Sequence, residues 1–399
     1  MPAGVGLYLG VVQFFFAATW IVYVIYLPQL AAQAGIGKGA VAAILMADQL
    51  VFVFTDYATG VFSDRIARIV GRLGLVALAA TLVSCVAFVA LPFVAPAGAP
   101  AAFIAVTAVW AVTSSALRAP PLALIGKHAA KPAQPVLVAL SMLGLGVANA
   151  AAPFLGLTLR GIDPRIPFAL ASAALAAVTL GLVAAERSLA RSRPAPAASG
   201  TDARGEPRVA PAPLVLVAVG VAALAFQVHV FIDSTPLYLR HAVATELPAL
   251  APTFWIGFNL ALLPFTLAAR RWPTVRVMIA ATVLAAVAAG AARLAPNLPL
   301  LVTTQGIAGA GWAGAMVAAF AWATGRGAGS GTFSGALSSL LALATLIRMA
   351  SVAAGWPQAP DLHDAIAWWP AAGWLVASAV VFIGWRWSVA RRRAPGGRA

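Results

Sequence analysis

Ionisable side chains are scarce in this sequence, and five stand inside long apolar runs. Asp48 and Asp56 interrupt "ILMADQLVFVFTDYATG", His229 and Asp233 interrupt "FQVHVFIDSTPLYLR", and Arg348 interrupts "LATLIRMASVAAGW". An ionised group held in hydrocarbon costs at least a few kcal/mol, so each is a functional candidate by default. A carboxylate and a guanidinium at similar depth can form or break an ion pair. A histidine four residues from a carboxylate on a helix shares its face and is suited to carrying a proton. A structural hydrogen-bonded pair is the reading placed ahead of the proton relay for His229 and Asp233. The chemistry on offer is charge pairing and proton movement. No nucleophile stands with His and Asp at matching depth, and there is no H-E-x-x-H or G-x-x-x-x-G-K-[ST], so an enzyme or an ATP-driven pump within the chain is not expected.

The elements that must hold these groups are membrane helices. The 399 residues are 62% hydrophobic and 9% charged, a composition of membrane-spanning chains. A span needs roughly 20 apolar residues. Twelve such runs lie near 6–27, 38–62, 73–95, 101–118, 134–158, 165–186, 213–235, 250–269, 275–294, 298–322, 333–356 and 364–387. Between the sixth and seventh, a polar segment rich in Pro, Ala and Arg reads as a linker. The expected organisation is a six-helix half over 1–186, a cytoplasmic linker over 187–212 and a second six-helix half over 213–399, the hydropathy symmetry of a transporter built from two related halves. Lys and Arg alternate in density with the spans. Twenty fall on the side of both termini and five on the other, so both termini are expected to be cytoplasmic and the net charge of +15 reads as topology. The single cysteine, Cys85, offers neither a disulfide nor a thiolate metal site.

On this map Asp48 lies about 15 Å and Arg348 about 12 Å from the outer ends of their runs, at 1.5 Å per residue. Asp48 shares a helix face with Thr55, and Gln49 shares one with Asp56 and Ser63, a polar strip that must face protein or a cavity. The second run ends in "GVFSDRIARIVGR", where Gly60 permits close helix packing and Asp64 can accept from Arg65, from Arg68 or from backbone donors at a neighbouring helix end. Arg65, Arg68 and Arg72 also fit a plain topology signal.

That stretch resembles the loop signature of the major facilitator superfamily, G-x-x-x-D-[RK]-x-G-[RK]-[RK]. Gly60, Asp64, Arg65 and Arg68 stand on its Gly, Asp and two basic positions, with Ala67 and Ile69 departing from it. In the fifth run "AAPFLG" resembles the G-P-x-x-G core of the superfamily's antiporter motif, matched at Pro153 and Gly156 with Ala152 in place of the first Gly. Arg118 opens "R-x-P-x-x-A-L-I", which resembles a loop of some exporters in the superfamily and also fits a headgroup anchor. The resemblance implies an all-α membrane protein of twelve helices in two pseudo-symmetric halves. It implies that Gly60, Asp64, Arg65 and Arg68 latch the outward-open state. It also implies that the second and eleventh spans meet across the halves, where an Asp48–Arg348 pair would form or break; Asp233 is the second choice of partner for Arg348. By the same layout the first, fourth, seventh and tenth spans line a cavity, bringing in Gln13, Thr19, Trp20, Tyr23, Thr113, Ser114, Gln227, Thr304 and Gln305. The glycines of "QGIAGAGWAGAM" fit either close packing or bending, and the outer "DLHD" segment, Asp361 to Asp364, reads as a solvated loop.

The function expected is secondary active transport of a small solute by alternating access, proton-coupled, with export of an amphipathic or lipophilic compound ahead of uptake of a small metabolite. A receptor or scaffold on the same fold is the reading from another class. The expected partners are a small-molecule substrate, a coupling proton and the lipid bilayer, with no nucleic acid, metal or cofactor. The chain is expected to act as a monomer in the cell (inner) membrane.

Overall fold

In hydrocarbon every backbone polar group must be satisfied within the protein, which leaves helices and closed barrels as spanning structures. The computed structural model, which describes residues 3–69, 73–191, 211–326 and 329–393, takes the first solution: its regular structure is helical throughout the described residues. Twelve helices are long and apolar enough to cross a membrane: α1 Gly4–Gln33, α2 Ala40–Ile66, α3 Leu73–Ala97, α4 Pro100–His128, α5 Lys131–Thr158, α6 Arg165–Arg191, α7 Ala212–Tyr238, α8 Ala244–Arg271, α9 Thr274–Arg293, α10 Leu298–Thr324, α11 Ser330–Ala353 and α12 Pro360–Ala390. Most of the expected linker, residues 192–210, lies outside the described residues.

Two of the turns have identifiable chemistry. Between α3 and α4 the chain reverses at Gly98, whose φ of 63° is open to glycine at little cost. Before α10 the Asn297 side chain accepts from the Leu300 N–H at 3.0 Å, capping a helix whose second residue is Pro299. Two sequence expectations are corrected here. α4 does not end at Arg118; it passes through a tight turn at Ser115–Leu117 and continues as helix Ala119–His128. Pro120 and Pro121 sit in the first turn of that new segment, where missing N–H donors cost nothing, so the pair that reads as a loop in the sequence starts a helix. The "DLHD" residues belong to the opening turns of α12.

Each half repeats one packing scheme. α1 packs on α5 and α6, and α3 on α4 and α6; in the second half α7 packs on α11 and α12, and α9 on α10 and α12. The halves meet along α2 with α11 and α5 with α8. With twelve spans, the described ends of the chain at 3 and 393 lie at one end of the bundle together with Arg65, Lys127, Lys131, Arg270, Arg271 and Arg276; this end is called here the basic face, and the other end is the far face.

Burial along the four interface helices is lopsided. No residue is buried in 40–47 of α2, 149–158 of α5, 244–251 of α8 or 345–353 of α11, all at the far face. Toward the basic face each has a buried stripe, and two helices lose exposure altogether: residues 311–324 of α10 are all buried, as are 119–126 of α4. A helix with one face on lipid always leaves some side chains exposed. Two or more turns with no buried residue mean that a protein partner is missing there. The bundle is therefore packed shut at the basic face and parted between its halves at the far face.

Candidate functional site

The contact that shuts the basic face is built on glycine. Gly60 of α2 lies against Gly331 and Gly335 of α11, so close that a Cβ on Gly60 would fall 2.9 Å from the Gly335 Cα and one on Gly335 would fall 2.5 Å from the Asp56 carbonyl. Without side chains the two backbones approach as small residues allow in membrane packing. That approach brings Asp64 to the start of α11, where the first N–H groups of a helix have no intrahelical acceptor. Asp64 Oδ1 accepts from the Gly331 N–H at 2.9 Å, and Oδ2 from the Thr332 N–H at 2.8 Å and the Thr332 hydroxyl at 2.6 Å. A carboxylate on a helix N-terminus gains from both the charged hydrogen bonds and the positive end of the dipole. Of the acceptor geometries open to Asp64 in the sequence, backbone donors at a neighbouring helix end are used. Arg65 is exposed, while the Arg68 side chain and Arg72 lie outside the described residues.

Two turns deeper than Asp64, Asp56 of α2 is fully buried and bonds Arg118 of α4 at 2.9 Å. Arg118 lies ten residues from the basic end of α4, about 15 Å inside at 1.5 Å per residue, so it does not anchor to headgroups. Its guanidinium lies 3.8 Å from the centre of the Phe52 ring. The tight turn that precedes it exposes polar groups to neighbours: Gln13 of α1 donates to the Leu117 carbonyl at 2.7 Å, and Ser115 and Thr55 share a hydroxyl bond at 2.7 Å.

Toward the far face, the expected Asp48–Arg348 pair does not form. The Tyr23 hydroxyl donates to Asp48 Oδ2 at 2.7 Å, and Arg348 Nε donates to Gln227 Oε1 at 2.9 Å. The reason is rotation as well as parting: Asp48 turns toward α1 and Arg348 toward α7, each bonded inside its own half. The His229–Asp233 pair also fails to assemble. Residues His229–Asp233 wind as a π-turn, and each of the two side chains takes neighbours on other helices. Asp233 instead meets Arg293 of α9 at 3.3 Å, which also removes it as a partner for Arg348. His229 is buried, its ring edge-on to Trp374 at 5.4 Å, and its Nε2 and the Gln305 Nε2 have no hydrogen-bond partner.

No protein-family model matches the sequence, and no curated protein matches it. Solved structures do match by shape. A bacterial homologue of the iron transporter ferroportin in an outward-facing state superposes with a TM-score of 0.72 at 14% identity, covering 95% of this chain and 99% of that one. The human organic anion transporter MFSD10 gives 0.67 at 15% identity, covering 97% and 100%. The E. coli fucose:proton symporter FucP, a major facilitator superfamily transporter, gives 0.63 at 13% identity, covering 96% and 98%. The fold is the major facilitator fold.

Within that fold, the remaining cavity candidates divide. Thr19, Thr113, Ser114 and Thr304 spend their hydroxyls on carbonyls three or four residues back in their own helices. Trp20 stacks on Trp110 at 6.0 Å and meets the edge of Phe52, so it belongs to an aromatic cluster of the first half. Pro153 lies inside α5, and a Cβ on Gly156 would meet nothing within 4 Å, so neither forms a tight contact in this state. The α10 glycines serve close packing: Gly309 lies on the Phe254 carbonyl of α8, and a Cβ on Gly311 would fall 2.6 Å from the Ala285 nitrogen of α9. The residue that sequence reasoning misplaced is Arg118. The signal for it was available, since a lone arginine ten residues before "KH" leaves room for two more helical turns.

Proposed function

We propose that the chain is a secondary active transporter that moves a small solute by alternating access, poised with its far side open. The observation that carries this reading is Asp64 seated on the N-terminus of α11, a bond that crosses between halves and exists only while the basic face is shut. Alternating access needs contacts of that kind, favourable in one state and absent in the other. By the density of Lys and Arg, the basic face is cytoplasmic, the termini lie there and the state is outward-open. The two halves, 1–186 and 213–399, rock as units about the linker, with Gly60, Asp64, Arg65 and Arg68 as the latch.

Proton coupling is the drive we favour, with the Asp56–Arg118 pair as the titrating element, because a carboxylate at depth whose charged partner is a single guanidinium can exchange that partner for a proton. Closure of the far side would bring Asp48 against Arg348. Their helices run antiparallel, with Asp56 and Gly60 opposite Gly335 and Gly331, which leaves Asp48 and Arg348 about five residues, or 7.5 Å, out of level at 1.5 Å per residue. An arginine side chain spans that. The cargo we favour is an amphipathic or lipophilic compound moved outward by a monomer in the cell membrane. The solved structures of like fold carry an organic anion, a sugar or, in one family, iron, so the fold alone does not choose the cargo.

Reconstitution in vesicles with an imposed pH gradient tests the proposal. Gradient-dependent movement of at least one compound from an amphipathic library is expected, abolished by a protonophore. Absence of flux for every compound, in both orientations of the gradient, would leave a receptor or scaffold as the better reading.

A further inference from the structure

Arg348 has no counter-charge. Among the described residues, each carboxylate at depth is already engaged: Asp48 by Tyr23, Asp56 by Arg118, Asp64 by the start of α11, Asp233 by Arg293, and Glu186 by the Leu73 and Gly74 N–H groups. Asp361, Asp364 and Glu246 lie exposed in the first turns at the far face. Arg348 meets only the neutral Gln227 through Nε and the Phe231 ring, 4.9 Å from its guanidinium carbon. Its two amino groups have no hydrogen-bond partner, so the edge of the guanidinium that presents parallel donors is free.

The position rules out a simple headgroup anchor. α7 and α11 run in the same direction with Gly220 facing Leu340, which sets Arg348 level with Val228, so its bond to Gln227 runs sideways across the bundle. Arg348 lies five residues, about 7.5 Å, from the far end of its own helix α11, and Gln227 eleven residues, about 16 Å, from the far end of α7, which extends about a turn beyond α11. An arginine that snorkels reaches along its helix toward the interface; this one is held at depth by a side chain of the neighbouring helix. It is also half-buried in the stretch of α11 where no residue is fully buried, so it is reachable from the open far side.

An unpaired guanidinium at depth is costly, and a planar anion presenting two oxygens matches its free edge with two parallel hydrogen bonds. We propose that Arg348, positioned by Gln227 and backed by Phe231, is the binding site for the anionic group of the cargo, which is an organic anion with a carboxylate, sulfonate or phosphate head and an apolar body. The proposal rests on the reading of the chain as a carrier. It makes Asp48 a competitor: as the far side closes, the Asp48 carboxylate approaches the same guanidinium and helps release the anion.

The test uses the purified full chain in a nonionic detergent and four probes on one apolar body: naphthoate, naphthalenesulfonate, neutral naphthamide and naphthylmethylammonium. Thermal stabilisation against probe concentration gives the affinities, because a ligand that binds only the folded state raises its stability with occupancy. Both anions are expected to bind at least ten-fold more tightly than the amide, and the ammonium not at all. Arg348→Gln should remove the preference for anions, and Arg348→Lys, which keeps the charge but not the fork, should leave an intermediate affinity. Equal binding of amide and anions by the wild-type protein, binding of neither anion, or full anion affinity in Arg348→Gln overturns the assignment. The wild-type comparison decides even if a variant does not fold. Failure of the carrier reading would look different: Arg348-dependent anion binding without flux in vesicles.

Discussion

Asp56 and Arg118 illustrate what one residue can decide at bilayer depth. Removing the carboxylate strands a guanidinium whose other surroundings are two phenylalanine rings. Breaking a buried pair from one side costs about 3 to 5 kcal/mol, and Arg118, with a fifth of its side chain exposed, belongs at the lower end. Asp56→Asn is therefore expected to lose about 3 kcal/mol in a denaturant titration, while Asp56→Asn with Arg118→Gln loses less than the two single changes summed. Strict additivity would show that the two groups do not act together. The same pair marks what was legible at this scale. The intramembrane charges stood out because each interrupts an apolar run, yet only the placement of the groups could be read, not their partners. Which neighbour a side chain meets depends on helix rotation and on what the packed helices offer: Asp233 meets Arg293 and His229 meets Trp374, and the turn at Ser115–Leu117 carries Arg118 inward.

At the scale of helices, the α2–α11 contact sets a sign that local propensity alone would get wrong. Alanine is the better helix former by about 1 kcal/mol. At Gly156, where a Cβ would meet nothing, Gly156→Ala should be neutral or stabilising by up to that amount. At Gly60 the added methyl would push against the Gly331 carbonyl and the Gly335 Cα, so Gly60→Ala should lower the thermal midpoint and loosen the closed basic face. If the two substitutions shift the midpoint alike, the glycine contact is not what holds α2 on α11. The helices themselves were readable from twelve apolar runs and their turns, and the half-to-half symmetry from the linker between them. The α2–α11 pairing was available only through resemblance, because glycine and aspartate in one run carry no information about which other run they touch.

For the whole molecule, on the proposed carrier reading, the parted far face and the shut basic face are two ends of one equilibrium, with Asp64 as a weight on it. Its carboxylate accepts three hydrogen bonds across the halves, and hydrogen bonds to charged groups contribute roughly 1.5 to 3 kcal/mol each. Asp64→Asn keeps one acceptor oxygen and removes the charge, so on the proposed carrier reading a loss of about 1.5 to 3 kcal/mol is expected from the state with the basic face shut, since the contact crosses between the halves there. By the arithmetic of two-state shifts, each 1.4 kcal/mol is ten-fold in population. Spin labels at Ala42→Cys on α2 and Val352→Cys on α11, in a Cys85→Ser background, flank the parted far ends. Wild-type protein should give mainly the long separation and Asp64→Asn mainly a shorter one, as the released halves close over the far side. An unchanged distance distribution in Asp64→Asn would reduce the carboxylate to a helix cap with no part in the switch. A uniform broadening without a second, shorter population would mean that the halves loosen rather than rock, which alternating access does not permit.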